Sequence, residues 1–361
     1  MGEFAMLRSR FLFVLLAAAF ACSASVEADP ERPPAPPQSE QNAAADSADA
    51  DSSAFLRDVA ERLLSGQRAP GECPNHAGAR ACLFAARLIG LQRVFDGQQS
   101  EFDPQRERVA ELVRSAVRRA PSDPQLLWTL AKGVFRDVDP ALQAPAIVTL
   151  RSLELENLQA WLLGAVDEAW TAPRLQAAAA SRRSTSHEFE FMRDDLKTLA
   201  TSAADIPAAR GLGWSPEPIE SQQILLIGLY AAEPIPSVLD LLNTCTPGAS
   251  DWQLAYAHHC WQIAEVMVER SDSLLQSALG VALMKRAAAS AAQVQRAAAE
   301  RRVYLYRQEM AVGLQLHAEG QRAYLRGLRA EGASELSTLR AALVEAGVSA
   351  SPPAGWRAAV E

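Results

Sequence analysis

From Ala54 onward, apolar residues recur at spacings of three and four, which is the spacing of one face of an α-helix. No stretch alternates apolar and polar residues between hairpin turns, the pattern of a half-buried strand. Alanine is abundant, whereas isoleucine and tyrosine are few, and this balance favours helices over sheets. The sequence therefore predicts an all-α fold beyond the N-terminal region.

Capping residues and glycines divide this pattern into short helices. Asp123-Pro124 and Asp139-Pro140 each place an N-cap residue before a proline at the first helical position. Short helices in series predict an array of antiparallel helical hairpins, either solenoid-like or packed as a large helical bundle. The predicted helices are 54–65, 78–96, 104–119, 123–136, 140–153, 156–170, 187–203, 220–231, 236–244, 251–269, 272–299, 300–329 and 333–346.

The N-terminal segment has the pattern of an export signal. Arg8 and Arg10 precede an apolar run over 11–20, which is too short to span a bilayer but fits the apolar region of a signal peptide. Ala19-Phe20-Ala21 gives the small-x-small pattern of a cleavage site, and Cys22 follows directly. We therefore predict a signal peptide over 1–21.

A cysteine directly after small residues resembles the bacterial lipoprotein signal, although Ala19 and Phe20 depart from its usual residues. The resemblance implies lipidation of Cys22 and a membrane-anchored lipoprotein that faces the periplasm. Ordinary cleavage near Ala21 or Ala24 is the alternative, and it would leave a soluble periplasmic protein.

Residues 22–53 form a predicted tether. They are almost all Ala, Ser, Asp, Glu, Pro, Gln and Asn, with seven acidic residues and one base between positions 23 and 53. Such a segment buries too little apolar surface to offset its ordering entropy, so we expect it to be disordered. The predicted helical domain then spans 54–361.

Four cysteines remain after Cys22, and an even number in an exported chain indicates two disulfides with three possible connectivities. We favour the sequence neighbours, Cys73 with Cys82 and Cys245 with Cys260. A metal site is the rival interpretation, because His258 and His259 precede Cys260. The sequence has no Cys-x-x-Cys or His-x-x-x-His pair that would supply the remaining metal ligands. We therefore predict neither a metal nor a cofactor.

One part of the chain resembles the tetratricopeptide repeat. The stretch 120–124 leads into Leu127, Leu130 and Ala131, and 153–157 leads into Ala160, Trp161, Gly164 and Ala165. The resemblance covers about 104–182, without the expected later aromatic residues and without a third repeat. It implies helix pairs that pack through large and small residues, and a surface that binds a partner.

The C-terminal part is basic. Residues 285–329 carry nine bases and three acids, whereas 54–284 is acidic. Such a cationic helix either contacts lipid headgroups or an acidic partner, or it is the solvated face of a packed helix. An apolar stripe from Val303 through His317 to Leu328 indicates a buried or partner-facing seam. Gly313, Gly320 and Gly327 recur every seven residues, which indicates close packing of another helix, or else a break in the helix.

The sequence contains no recognisable catalytic motif. A net charge of −8 excludes a generally basic nucleic-acid binder. We therefore expect a non-catalytic cell-envelope scaffold that binds a protein or peptide partner, and predict no catalytic residue. The alternative is an enzyme whose site is assembled from distant residues, with candidates His187, His258, His259 and Glu265.

Overall fold

A computed structural model gives the positions of most of the chain after the tether. The predicted signal peptide, the tether and Cys22 lie outside the described residues, as does most of the predicted helix 220–231. The described residues are 54–65, 72–73, 78–95, 104–164, 168–202, 226–227, 229–230, 233, 239–246, 251–315 and 317–358.

The prediction of an all-α fold is confirmed. Across the described ranges the backbone forms helices and no β-strand. Two isolated bridges pair Asn157 with Arg183 and Ser184 with Ser271.

The helices are numbered here in chain order. They are α1 (54–63), α2 (Ala79–Phe95), α3 (Pro104–Arg119), α4 (Pro124–Ala131), α5 (Gln143–Leu153), α6 (Leu158–Leu162), α7 (Ala172–Ala179), α8 (Glu188–Ser202), α9 (Leu239–Thr244), α10 (Asp251–Glu269), α11 (Leu274–Ala287), α12 (Ala291–Gln315), α13 (Ala318–Leu328) and α14 (Glu335–Glu345).

The chain separates into two compact units, a division that the sequence pattern does not reveal. The N-terminal unit contains the described residues within 54–129, 133–140 and 191–233. The C-terminal unit contains those within 130–132, 141–190 and 234–358.

In the N-terminal unit, α2 packs along α3. Leu83 and Leu88 of α2 and Val109 and Leu112 of α3 are fully buried. Cys73 and Cys82 lie at disulfide distance, with their Cα atoms 5.7 Å apart. The backbone N–H of Cys73 also donates to Ser115 Oγ at 3.3 Å, so the segment before α2 is held against α3.

In the C-terminal unit, α10 packs against α11 and α7. Cys245, which follows α9, and Cys260 of α10 are the second pair at disulfide distance, again with 5.7 Å between Cα atoms. Both cysteines are buried beside Met267 and Met284. The sequence-neighbour pairs are therefore the ones that the structure brings together.

Several predicted helix boundaries are wrong, among them the end of the helix predicted at 123–136, which stops at Ala131, and the helix predicted at 300–329, which is divided between Gln315 and Ala318. The helix predicted at 156–170 ends at Leu162, and the unpredicted α7 begins at Ala172, where Pro173 stands in the first turn. The break predicted at 299–300 lies instead between Ala287 and Ala291, where Ser290 Oγ accepts from the Gln293 backbone N–H at 3.2 Å. The serine cap interrupts an alanine-rich sequence that otherwise has uniform helix propensity.

The three heptad-spaced glycines have different surroundings. A Cβ at Gly327 would meet Thr338 Cγ2 of α14 at 2.6 Å, as expected for close helix packing. A Cβ at Gly320 would overlap the Leu314 carbonyl, because the chain turns between α12 and α13. A Cβ at Gly313 would have no neighbour within 4 Å, so close packing is wrong there. The predicted apolar stripe is interrupted at His317, the exposed N-cap of α13, while Leu328 at its far end is buried.

We predict that Gly327→Ala lowers the free energy of unfolding by about 1–2 kcal/mol, because the methyl group overpacks the contact with α14. Gly327→Ala/Thr338→Ser removes the clashing Cγ2 and should recover part of this loss. The matched control Gly313→Ala should raise the free energy of unfolding by about 0.5 kcal/mol, because it adds helix propensity in open space. Urea denaturation measures all three, and a Gly327→Ala variant as stable as Gly313→Ala would contradict the packing described.

Candidate anion-binding cavity

The residues that the sequence offers for an enzyme site have separate local partners. His258 and His259 lie side by side on α10, with ring centroids 3.8 Å apart, and His258 is exposed while His259 is half-buried. Glu265, further along the same helix, accepts from Trp261 Nε1 at 2.7 Å and pairs with Arg296 at 2.5 Å. Its carboxylate is therefore occupied by structural contacts.

His187 stands at the start of α8 with a positive φ of 58°, a conformation that is rare for residues other than glycine. Its Nε2 lies 3.0 Å from Glu154 Oε1 and its Nδ1 lies 3.2 Å from Glu190 Oε2. Burial lowers the pKa of His187, but the two carboxylates outweigh it and raise that pKa. Both imidazole nitrogens therefore contact carboxylates, which favours a structural imidazolium over a free catalytic base.

None of the described residues forms a cluster of three or more His, Cys, Asp or Glu side chains suited to a metal ion. The structure therefore does not join His187, His258, His259 and Glu265 into such a site.

A different group of residues surrounds a cavity of about 540 Å³ in the C-terminal unit. It lies between α11, α12 and the C-terminal segment. Its apolar lining includes the buried Val281 and Ala297. The complete lining is Val281, Lys285, Ala288, Val294, Ala297, Ala298, Arg301, Arg302, Leu305, Trp356, Arg357 and Ala358.

One arginine holds the C-terminal segment in place to form this cavity. Arg302 Nη2 donates to the carbonyls of Pro353 at 2.5 Å, Ala354 at 3.2 Å and Trp356 at 3.2 Å. Four residues along α12, the Tyr306 hydroxyl donates to the Ser349 carbonyl at 2.8 Å. The Tyr306 ring also meets the Trp356 ring edge to face, with centroids 5.2 Å apart. We call 347–358 the C-terminal strap.

The other three cations of the lining are exposed, and none has a counter-ion within the part of the chain that the structure describes. Lys285, Arg301 and Arg357 are exposed, and across the described residues no carboxylate lies within 4.0 Å of their nitrogen atoms. No side chain of the lining carries a hydrogen-bond acceptor. The side chains of the cavity therefore present only donors and apolar surface to a ligand.

Other arginines of the basic C-terminal part are paired. Arg296, five residues before Arg301 on α12, bonds to Glu265 and Glu269 of α10. Arg326 of α13 bonds to Glu345 of α14. The basic stretch that the sequence identifies therefore contains structural arginines, cations of the cavity, and exposed bases outside it, such as Arg322 and Arg329.

Sequence reasoning also missed a fully buried ion-pair network in the N-terminal unit. Arg87 of α2 bonds to Asp195 at 3.2 Å and Glu233 at 2.5 Å, and it lies 4.1 Å from the ring centroid of Tyr230. Burial raises the pKa of Asp195 to about 6, although Arg87, Tyr230 and Gln125 oppose the rise. The signal was present in the sequence as a single arginine within the apolar run of α2.

The C-terminal unit contains a second charged group, at the start of α14. Glu335 accepts from the Leu274 backbone N–H at 3.0 Å. Burial, with Glu188 and Asp272 nearby, raises the pKa of Glu335 to about 7. Burial likewise raises the pKa of Asp272 to about 6, against the hydrogen bond from the Ser186 backbone N–H.

Comparison with known proteins adds no assignment, since no family model, no curated protein and no solved structure matches the chain. Of the helices in the described ranges, none combines the length and apolar character needed to cross a bilayer.

We predict that Arg302→Lys loosens the C-terminal strap, because an ammonium group cannot reach three carbonyls with the geometry of a guanidinium. Amide hydrogen exchange in 349–357 should rise, and the free energy of unfolding should fall by about 1–2 kcal/mol. Arg301→Lys is the matched control, since Arg301 makes no such bonds. Equal exchange in both variants would show that Arg302 does not hold the strap.

We also predict that unfolding becomes easier between pH 5 and pH 8. The folded-state pKa of Glu335, about 7, lies above its ordinary value of 4.5, so its stabilising protonation is lost as the pH rises through this range. Asp272 and His187, whose pKa values are also raised, act in the same direction.

Glu335→Gln should therefore raise the free energy of unfolding at pH 8 by about 2 kcal/mol and change it little at pH 5. Glu319→Gln, which removes an exposed acid of α13, is the control. Urea titrations across this pH range measure the effect, and a Glu335→Gln variant with the pH profile of the unaltered protein would refute the assignment.

Proposed function

We propose that this chain is a non-catalytic binding protein of the bacterial cell envelope, which holds the anionic group of its partner in the cavity of the C-terminal unit. The partner meets the protein through this group, and the helices serve as the scaffold that presents the cavity. Cys22 carries the lipid anchor, and the acidic tether links it to the helical units.

Export is supported by two independent features. The N-terminal residues have the order of a signal peptide, with Arg8 and Arg10 before the apolar run and Cys22 after it. Both cysteine pairs lie at disulfide distance, which fits an oxidising compartment outside the cytoplasm.

The observation that carries the binding proposal is the chemistry of the cavity wall. Lys285, Arg301 and Arg357 have no counter-ion among the described residues, and the lining offers no side-chain acceptor. A ligand that brings negative charge supplies the missing acceptors, and its apolar part covers the surface between them.

Anilinonaphthalene sulfonate is a suitable probe, because it joins a sulfonate to an apolar ring system and fluoresces when held in an apolar site. We predict that the protein binds this probe and that Arg301→Glu/Arg357→Glu weakens binding at least about tenfold, through lost charge-assisted hydrogen bonds.

Arg322→Glu is the matched control, because it reverses an exposed charge of α13 outside the cavity. The control should bind as the unaltered protein does. The proposed function would be contradicted if fluorescence titration gave the same affinity for the double variant and the control.

The anchor has its own test, which does not involve the cavity. Protein purified from a bacterial envelope should have the intact mass of a chain that begins at Cys22 and carries acyl chains on it. Cys22→Ala should abolish the added mass and release the protein from the membrane fraction. A mature protein without acyl chains, cleaved near Ala21 or Ala24, would remove the anchor and leave the binding proposal standing.

A further inference from the structure

We infer that the ligand of this cavity is a single-chain anionic amphiphile, which is a fatty acid or a lysophospholipid. This inference rests on the proposed function, because it names the class of molecule that supplies the anionic group.

The first reason is the distribution of charge and apolar surface. The three unpaired cations are exposed, whereas Val281 and Ala297 are buried and Leu305 and Trp356 are half-buried. The charged groups of the cavity therefore lie among its exposed residues, which also include Val294 and Ala298, while its buried lining is apolar. An amphiphile has the same division, with its anionic head separate from its hydrocarbon chain.

The second reason is the scarcity of acceptors, which disfavours a peptide. A bound peptide brings backbone N–H groups, and each of these needs an acceptor when it leaves water. The side chains of the lining offer none. In the C-terminal strap, the carbonyls of Pro353, Ala354 and Trp356 already accept from Arg302. Most lining residues of α12 lie in the helix interior, where their carbonyls accept helical hydrogen bonds, so the main-chain acceptors left for a ligand are few and lie at the end of α11, near Lys285 and Ala288. An acyl chain has no donors and leaves none unsatisfied.

The third reason is size. A volume of about 540 Å³ falls within the range of small-molecule sites, about 300–1,000 Å³. The walls are also smooth, because four alanines line the cavity: Ala288, Ala297, Ala298 and Ala358. One acyl chain can lie along such a surface without a pocket for any particular side chain.

The experiment compares four probes on the full-length protein by isothermal titration: oleate, lysophosphatidylglycerol, lysophosphatidylcholine and a short acidic peptide with a free carboxylate. We expect oleate, lysophosphatidylglycerol, or both to bind. The zwitterionic lysophosphatidylcholine, which has the same chain without net charge, should bind at least about tenfold more weakly, since it brings no net charge to the cations.

Two variants locate the site. Ala298→Trp fills the apolar lining at an exposed position and should abolish binding without unfolding the protein. Arg301→Glu/Arg357→Glu should weaken binding at least about tenfold, whereas Arg322→Glu should bind as the unaltered protein does. Quenching of tryptophan fluorescence by a brominated fatty acid should decrease in Trp356→Phe, which reports contact with the cavity directly.

The outcomes separate the two proposals. Binding of oleate favours a free fatty acid, and binding of lysophosphatidylglycerol alone favours a lipid-derived ligand; either supports the inference. If the acidic peptide binds in the cavity and neither amphiphile does, the inference is wrong while the proposed function stands. If no anionic probe binds, including anilinonaphthalene sulfonate, both are wrong. Equal binding by the Ala298→Trp variant would overturn the inference by placing the amphiphile elsewhere.

Discussion

The guanidinium of Arg302 holds the C-terminal strap that forms one wall of the described cavity. Without its bonds to the carbonyls of Pro353, Ala354 and Trp356, the C-terminal strap would keep the Tyr306 contacts and the packing of Val348 near the start of the strap, but no described hydrogen bond would hold 353–356 to α12. A single planar group with several donors suits this task, because it satisfies neighbouring carbonyls that face one point. The charge of Arg302 is thereby used for architecture, and the unpaired charges of Arg301 and Arg357 remain for a ligand.

The proposed binding site rests on the contrast between arginines that form ion pairs and the exposed cations of the cavity. Arg87 is buried against Asp195 and Glu233, and Arg151 forms two bonds to the Glu168 carboxylate at 2.6 and 2.9 Å. Buried charges need such partners, because an unpaired ion in the interior is costly. Lys285, Arg301 and Arg357 are exposed and therefore need none for stability. Their position around apolar surface, with no side-chain acceptor in the lining, is what distinguishes them from ordinary solvated cations.

Local features of the fold were predictable from the sequence. Apolar spacing identified α3 and α10 with their observed bounds, and the proline and aspartate before α4 placed its start. The break at Ser290 was missed because alanine-rich flanks give no contrast in helix propensity. Cavity formation could not be predicted, because Arg302 and Pro353 are 51 residues apart and nothing local connects them. The sequence identified the basic stretch. It gave no sign that Arg296 forms ion pairs while Arg301 has none among the described residues.

The central claim is that neighbouring arginines on α12 have opposite environments. Chemical footprinting with phenylglyoxal, followed by mass spectrometry, tests it on the native protein without a variant or a ligand. The account predicts that Arg301 and Arg357 react as fast as the exposed Arg322, while Arg302 reacts much more slowly because its donors are occupied. Equal reaction of Arg301 and Arg302 would contradict it, since the strap would then not be held and the cavity would not exist as described.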